Sequence, residues 1–494
     1  MHLLYRPKSP LSLAISAILA LIPRPNDPTH SSTLSVLQRR AYANEFAKLA
    51  NAAVEVDCEL LASSTNPSQA LLDRPCVHRE PLHPQTPVEL ESILALLVLS
   101  IYEYAQRGNL LKMKSRASQA LGMALDRSLH SQGKEDGLIF AEARRRAWWM
   151  TYYCALQCSI VSGSSPFIVP KDPNFVTPYP NFASDPEGWS LLMNSQEILA
   201  SASQFIVELK SALVTNSDGI YIHERMRQLD EWMSSVLKQT EINAPVVESA
   251  DPGSQAESMT ARNVRSMCQI KLNSAKIKTH RFQAFHDIPI FIRKHCDLTV
   301  ADILKEGTSS VAVKTLNSEN GSNCSGACGE ETTATGRQYV ASSSASSTSS
   351  DLHPYPAAQI SVANGSPYSS EYSAEACLRA AVGTSLLFES LSNPGPHSIR
   401  VVPFSACCIM QSSYALLMLY YKARVMNQLT ISETGKQGVL VPEGQFVETI
   451  HSSLGRLIDA LANCSLAFEA LDGMRGRLLF PLYIFLSIFR SFPI

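Results

Sequence analysis

Two adjacent tryptophans, Trp148 and Trp149, follow three consecutive arginines, Arg144, Arg145 and Arg146, and lead into the mainly apolar run Met150–Val161. Half of the chain's four tryptophans sit here. Indole rings bury large areas, so a chain that sets two side by side has to build a core around them. Successive residues on a helix stand roughly 100° apart, so three adjacent arginines fan over about 200° and cannot all enter one nucleic-acid groove. They are expected to brace neighbouring helix ends and carboxylates. A loop with Pro166, Pro170, Pro173, Pro178 and Pro180 follows.

The rest of the chain is read as helices. Leu11–Ile22 is an apolar run ended by prolines. Ser35–Ala62 carries Tyr42, Phe46, Leu49, Ala53 and Val56 at spacings of three and four, which predicts an apolar face. Glu89–Gln106 is apolar on nearly every side and is expected to be buried all round. Gly108-Asn109 then turns the chain into Leu110–His130, with Leu110, Met113, Ala117, Leu121 and Ala124 on one face and His130 as a capping residue. Trp189–Val214 and Ile220–Gln239 follow, with Thr240–Thr260 as a polar linker. Ala261–Leu304 is the most basic stretch, including Arg262, Arg265, Lys271, Lys276, Lys278, His280 and Arg281. Apolar residues interleave with these charges, so a solvated face of an amphipathic helix is expected in place of a nucleic-acid stripe.

Residues 306–371 change character, with the run Ala341–Ser350 and few large aliphatics. Such composition buries too little surface to offset ordering entropy and predicts a disordered Ser/Gly-rich insertion. Helices resume at Glu371–Leu391, Phe404–Gln428 and Phe446–Leu471. No sustained period-two alternation appears, so the fold class is all-α: a large multi-helix domain with long loops. The division is 1–305, with its core at 87–180; 306–371; and 372–494, whose helices pack on the same domain.

Composition excludes several classes. Among 494 residues the formal net charge is −2, unlike a basic nucleic-acid module. Twelve cysteines are spread thinly through apolar surroundings, as reduced buried thiols are. Leu11–Ile22 and Leu478–Phe489 are too short to span a bilayer and read as core helices. No G-x-S-x-G, Walker A, G-x-G-x-x-G or H-E-x-x-H occurs. His78-Arg79-Glu80 imitates a deaminase H-x-E without the P-C-x-x-C that should follow. Cys154 and Cys158 lie one helical turn apart, with no second pair nearby to complete a tetrahedral site. Cys324 and Cys328 fall in the insertion, and Cys407 and Cys408 are adjacent. No catalytic, cofactor or metal residue is assigned.

The order of these pieces resembles the middle homology region of fungal zinc-cluster transcription factors, the fungal-specific transcription factor domain. Leu97–Gly108 is similar to that family's helix and turn before the central segment, Ala117–His130 to its alanine-rich helix ending in Leu-His, and Arg144–Tyr152 to its arginine-aromatic helix. Asp172–Pro180 resembles its extended loop. The signature positions are Arg144, Arg145, Arg146, Trp148, Trp149, Asp172 and Pro180, structural in role. The family's later Asp-Arg pair is Ala155-Leu156 here, and its Gly-Arg-Pro is replaced by Gly163-Ser164-Ser165-Pro166. The six-cysteine cluster that binds two zinc ions in that family has no counterpart here, since no C-x2-C-x6-C spacing occurs.

The resemblance implies a nuclear transcription regulator that controls a metabolic or secondary-metabolite gene set. It implies partners in the transcription machinery, or a DNA-binding partner, and promoter DNA only through a zinc cluster or that partner. A small-molecule effector and a homodimer are also implied, with no membrane. Zinc is expected only with an N-terminal cluster; the chain reads either as a fragment or shortened gene model, or as a regulator acting through partners. Two other classes stay open: a helical enzyme without a local motif, and a membrane-associated helical protein.

Overall fold

In the computed structural model the described residues are 6–24, 28–29, 31–59, 77–133, 139–215, 219–241, 252–288, 365–392, 403–434 and 443–490. They form twelve α-helices and two short 3-10 turns, with no strand among them. The insertion expected over 306–371 lies outside the described residues up to position 364, as do Cys324, Cys328 and everything expected of 289–304.

Helix α1 (Pro10–Leu21) starts with a reciprocal cap: Ser9 Oγ accepts from the Ser12 N–H, and Ser12 Oγ accepts from the Ser9 N–H. Helix α2 (Thr33–Cys58) packs against α1 through Ala43, Ala47, Ala50 and Val54. This corrects the apolar face expected for α2. Tyr42, Leu49 and Val56 point to solvent, and the small residues face inward because α1 approaches closely. Periodicity counted the large side chains and overlooked the alanine stripe beside them.

Helix α3 (Val88–Ala105) is buried on most sides, between α1, α2, helix α4 (Leu110–Asp126) and helix α5 (Ala141–Ser162). The α3–α4 turn uses Gly108 at φ +61°, where a side chain would be strained. Asn109 then caps α4, its side chain accepting from the Lys112 N–H. On α4, Met113, Ala117, Ala120, Leu121 and Ala124 are buried, while Leu110 is partly exposed at the helix start. Gly163, at φ +63°, ends α5.

Helices α6 (Gly188–Thr215) and α7 (Ile220–Glu241) pack on one another and on the long helix α8 (Pro252–Phe285). Residues 252–260, read from the sequence as linker, belong to α8. Pro252 sits at its first position, where a missing N–H costs nothing. Helix α9 (Ser370–Ser392) lies along α8, followed by α10 (Ala406–Thr434), α11 (Glu443–Ser465) and α12 (Glu469–Arg490). The expected helix Phe446–Leu471 is thus two helices, broken at Leu466–Phe468. The end of α3 meets the start of α12, where the Gln106 side chain accepts from the Glu469 N–H at 3.0 Å and donates to its carboxylate at 3.2 Å. One continuous hydrophobic core runs through all twelve helices.

Candidate functional site

The arginine-aromatic helix α5 is the anchor of the fold. Trp148 is fully buried and Trp149 nearly so. Around Trp148 stand His130 at 5.7 Å, Tyr152 at 6.4 Å and Phe175 at 5.0 Å between ring centres. Trp149 stacks obliquely on Tyr179 at 4.3 Å and its indole N–H donates to the Pro178 carbonyl at 3.0 Å. These contacts strap the proline-rich loop onto α5. Proline lacks an N–H, so the loop is fixed by side chains and a few amides. Among those amides, Val176 and Thr177 donate to the His130 carbonyl. His130 therefore does not cap α4 as expected; it lies in the 3-10 turn Leu129–Ser131 and packs its ring in the aromatic cluster.

The three arginines diverge. Arg144 reaches Glu89 on α3 at 2.7 Å, Arg145 lies 3.8 Å from Glu142, and Arg146 pairs with Glu142 at 2.7 Å. Arg146 also donates to the Asn181 carbonyl and lies over the Phe182 ring. Asp172 shapes the loop: its side chain accepts from the Asn174 N–H at 2.9 Å. Pro180 is buried. Of the signature residues on α5, Trp148, Trp149 and Arg146 touch the loop, whereas Arg144 reaches α3 and Arg145 stays beside Glu142; Trp148, Trp149 and Pro180 are buried.

Other functional groups escaped the sequence reading. Tyr152 donates to Glu197 of α6 at 2.7 Å, and Lys171 approaches the same carboxylate at 3.7 Å while lying over the Trp232 ring of α7. Burial pushes the Glu197 carboxyl up, against the opposing pull of Tyr152 and Lys171. Lys171 holds a left-handed backbone, φ +59°. No periodic pattern links Tyr152, Lys171, Glu197 and Trp232, which come from four segments.

The basic helix α8 corrects the expectation of a solvated face: Lys271, Lys278, His280 and Arg281 are buried. Arg265 forms a two-pronged pair with the buried Asp185, at 2.6 and 2.8 Å. Lys276 pairs with Asp230 of α7, which also accepts from His280 Nε2 at 2.7 Å and from the Tyr368 hydroxyl at 3.2 Å. His280 Nδ1 meets the Ser373 hydroxyl at 3.2 Å. Burial works to raise the Asp230 carboxyl, but His280 and Lys276 outweigh it and hold it at about 2. Burial also pushes His280 below its ordinary value despite Asp230, so a neutral ring donating from Nε2 fits both contacts. Tyr368 falls inside the stretch read as an insertion, yet it stacks on Tyr372 at 4.9 Å. Lys271 has no carboxylate partner among the described residues. It donates to Gln157 Oε1 at 3.3 Å and lies 4.7 Å from the Tyr153 ring centre, and burial pushes it down to about 8.

Beside the Asp230 cluster, α7, α8 and α9 enclose a groove of about 530 Å³. Leu237, Leu272, Ala380 and Leu387 form its apolar wall, with Lys276 and Arg379 among its polar lining. A second groove of about 530 Å³, between α2, α3, α4 and α5, is lined by Asp57, Glu89, Asp126, Arg127 and Arg144. Arg79, from the H-x-E imitation, bridges Asp57 and Glu91, so it is a structural tie. Cys154 and Cys158 are buried, and burial pushes both thiols up, to about 12 for Cys158. Among the described residues no three metal-ligating side chains cluster.

The fold is an all-helical body held by buried ion pairs around an aromatic anchor. Residues 76–242 match the fungal specific transcription factor domain, and the chain thus carries the regulatory domain of fungal transcription factors, a non-enzymatic family. The match spans α3 to α7 and includes every signature residue. No curated protein and no solved structure matches the chain. No helix among the described residues is long and apolar enough to cross a membrane.

Proposed function

We propose that the chain controls a metabolic or secondary-metabolite gene set from the nucleus, with a small-molecule effector bound in the groove between α7, α8 and α9. The observation that carries this is the placement of that groove. It opens onto Lys276, which Asp230 holds, and it lies where the matched domain ends at α7 and the helices beyond it, α8 and α9, begin. Its volume falls in the range of small-molecule sites, and its lining combines an apolar wall with a few polar groups. Binding there would shift α9 against α7 and α8, and so alter the surface offered to the transcription machinery. Promoter DNA is reached through a zinc cluster or a DNA-binding partner, and the active species is a homodimer. In this reading residues 1–305 and 372–494 form one regulatory body. The signature residues Arg144, Arg145, Arg146, Trp148, Trp149, Asp172 and Pro180 hold its shape.

The experiment is transcript profiling of a strain lacking the gene, with imaging of the tagged protein. Coordinated change in a set of metabolic genes and nuclear signal support the reading. Unchanged transcripts with a protein excluded from the nucleus would overturn it.

A further inference from the structure

A small groove between α2, α3 and α4 differs in chemistry from the two grooves described above. Its volume is about 260 Å³, compact beside the sites of drug-sized ligands. Among its lining residues only Ala47, Ala52 and Leu99 are aliphatic, so it offers no wall to an apolar ligand. Helical spacing explains why polar groups converge here. Asn44, Lys48 and Asn51 follow one another at steps of four and three on α2, and Lys112 and Arg116 stand four apart on α4. Residues three and four apart share a helix face, so both helices turn a polar face to the groove. Glu103 and Arg107, at the end of α3, complete it.

These groups have bonding capacity left over. Glu103 Oε2 and Asn51 Oδ1 are shut off from solvent and accept no hydrogen bond among the described residues. The Glu103 side chain is only 8% exposed, and Arg107 Nε stands 3.7 Å from it, beyond hydrogen-bond reach. A carboxylate taken out of water with an unfilled oxygen is costly, so this oxygen calls for a donor. On α4, Lys112 and Arg116 line the groove and meet no carboxylate among the described residues. Lys112 also lies in the first turn of α4, which holds no acidic residue and where the helix dipole adds positive charge. Lys48 is drawn off to Glu45 at 2.8 Å. The groove thus sets two uncommitted cations, with Arg107 beside them, against a buried carboxylate and a buried amide oxygen that both lack donors.

We propose that this groove binds a small phosphorylated polyol, with its phosphate held by Lys112, Arg116 and Arg107 and its hydroxyls donating to Glu103 and Asn51. A phosphate group carries about two negative charges at neutral pH, which answers the cations, and a guanidinium takes phosphate oxygens in a two-pronged manner. The hydroxyls answer the two orphaned oxygens. A polycarboxylate would satisfy the cations but bring few donors to Glu103 and Asn51. The site is separate from the groove between α7, α8 and α9, so either reading can fail without the other.

The test is titration calorimetry of the full chain with ribose 5-phosphate, with inorganic phosphate and unphosphorylated ribose as comparison ligands. Ribose 5-phosphate binds at millimolar or lower concentration, and each comparison ligand binds about tenfold or more weakly, because each lacks one part of the contacts. Lys112→Gln and Arg116→Gln each weaken ribose 5-phosphate by about tenfold, with helical circular dichroism unchanged because neither side chain is buried. Arg262→Gln, at an exposed position of α8, leaves the affinity as it was. Glu103→Gln removes the charge that draws the hydroxyls, and so brings ribose 5-phosphate closer to inorganic phosphate in affinity. A chain that binds none of the three ligands would overturn the proposal. So would equal affinity for inorganic phosphate and ribose 5-phosphate, which marks an anion patch with no polyol recognition, or binding that survives Lys112→Gln and Arg116→Gln together.

Discussion

Tyr152 on α5 donates its hydroxyl hydrogen to Glu197 on α6 across 2.7 Å, and both groups are buried. The bond ties the arginine-aromatic helix to the next helix at the point where Lys171 of the proline-rich loop also arrives. Replacing Tyr152 by Phe keeps the ring in the aromatic cluster and leaves the carboxylate with Lys171 alone. The expected cost is about 1–3 kcal/mol. Chemical denaturation checks it, and Glu197→Gln in the same background should add less than it does alone, because the two residues share one interaction.

Trp148 is fully buried against His130, Tyr152 and Phe175. Trp148→Ala should lower stability by about 3–5 kcal/mol. A chain that keeps its stability would show that this ring is not the anchor of the loop.

Lys271 has its folded pKa depressed by burial, to about 8 from the ordinary 10.5. Between those two values the unfolded chain holds a proton that the folded chain has released, so this lysine makes stability rise with pH across that window. Below about pH 8 the protonated amine imposes its full penalty. Lys271→Met should therefore stabilise the protein at pH 7. Its advantage over wild type should shrink steadily from pH 8 to 10, measured as the difference between two pH–stability curves.

Asp230 behaves in the opposite sense. Its folded pKa of about 2 lies below the ordinary 3.8, so the stability it contributes is complete above pH 3.8 and is lost as pH falls through about 2. Asp230→Asn strands the buried His280 contact and the Lys276 charge, and should cost about 3–5 kcal/mol at neutral pH. Replacing Lys276 by Met together with Asp230→Asn should recover part of that loss.

Much of this fold was legible in advance because helices announce themselves through period. The continuous apolar run of α3 and the paired tryptophans of α5 required burial whatever surrounded them. Arg144–Trp149 and Asp172–Pro180 stood out because they lie near each other in sequence. Two failures have separate physical causes. On α2 the inward residues are alanines, which carry little apolar signal, so the outward Tyr42, Leu49 and Val56 were mistaken for the core face. On α8 the charges Lys271, Lys276 and His280 looked solvated because their partners, Gln157 and Asp230, lie far away in sequence. A local pattern cannot show that a charge is paired across 46 or 114 residues. The one available hint was that basic and apolar residues interleave on α8 without leaving a distinctly polar face.

The central claim is that this helical body regulates transcription through the α7–α8–α9 groove. The most direct measurement is reporter output from the full chain fused to an unrelated DNA-binding module, compared with the same fusion carrying Ala380→Trp to fill the groove. The account predicts a wild-type output that changes with growth on different metabolites, and a groove-filled variant, folded by circular dichroism, whose output is fixed. A fusion that never alters the reporter, or a groove-filled variant that still responds as wild type does, would contradict it.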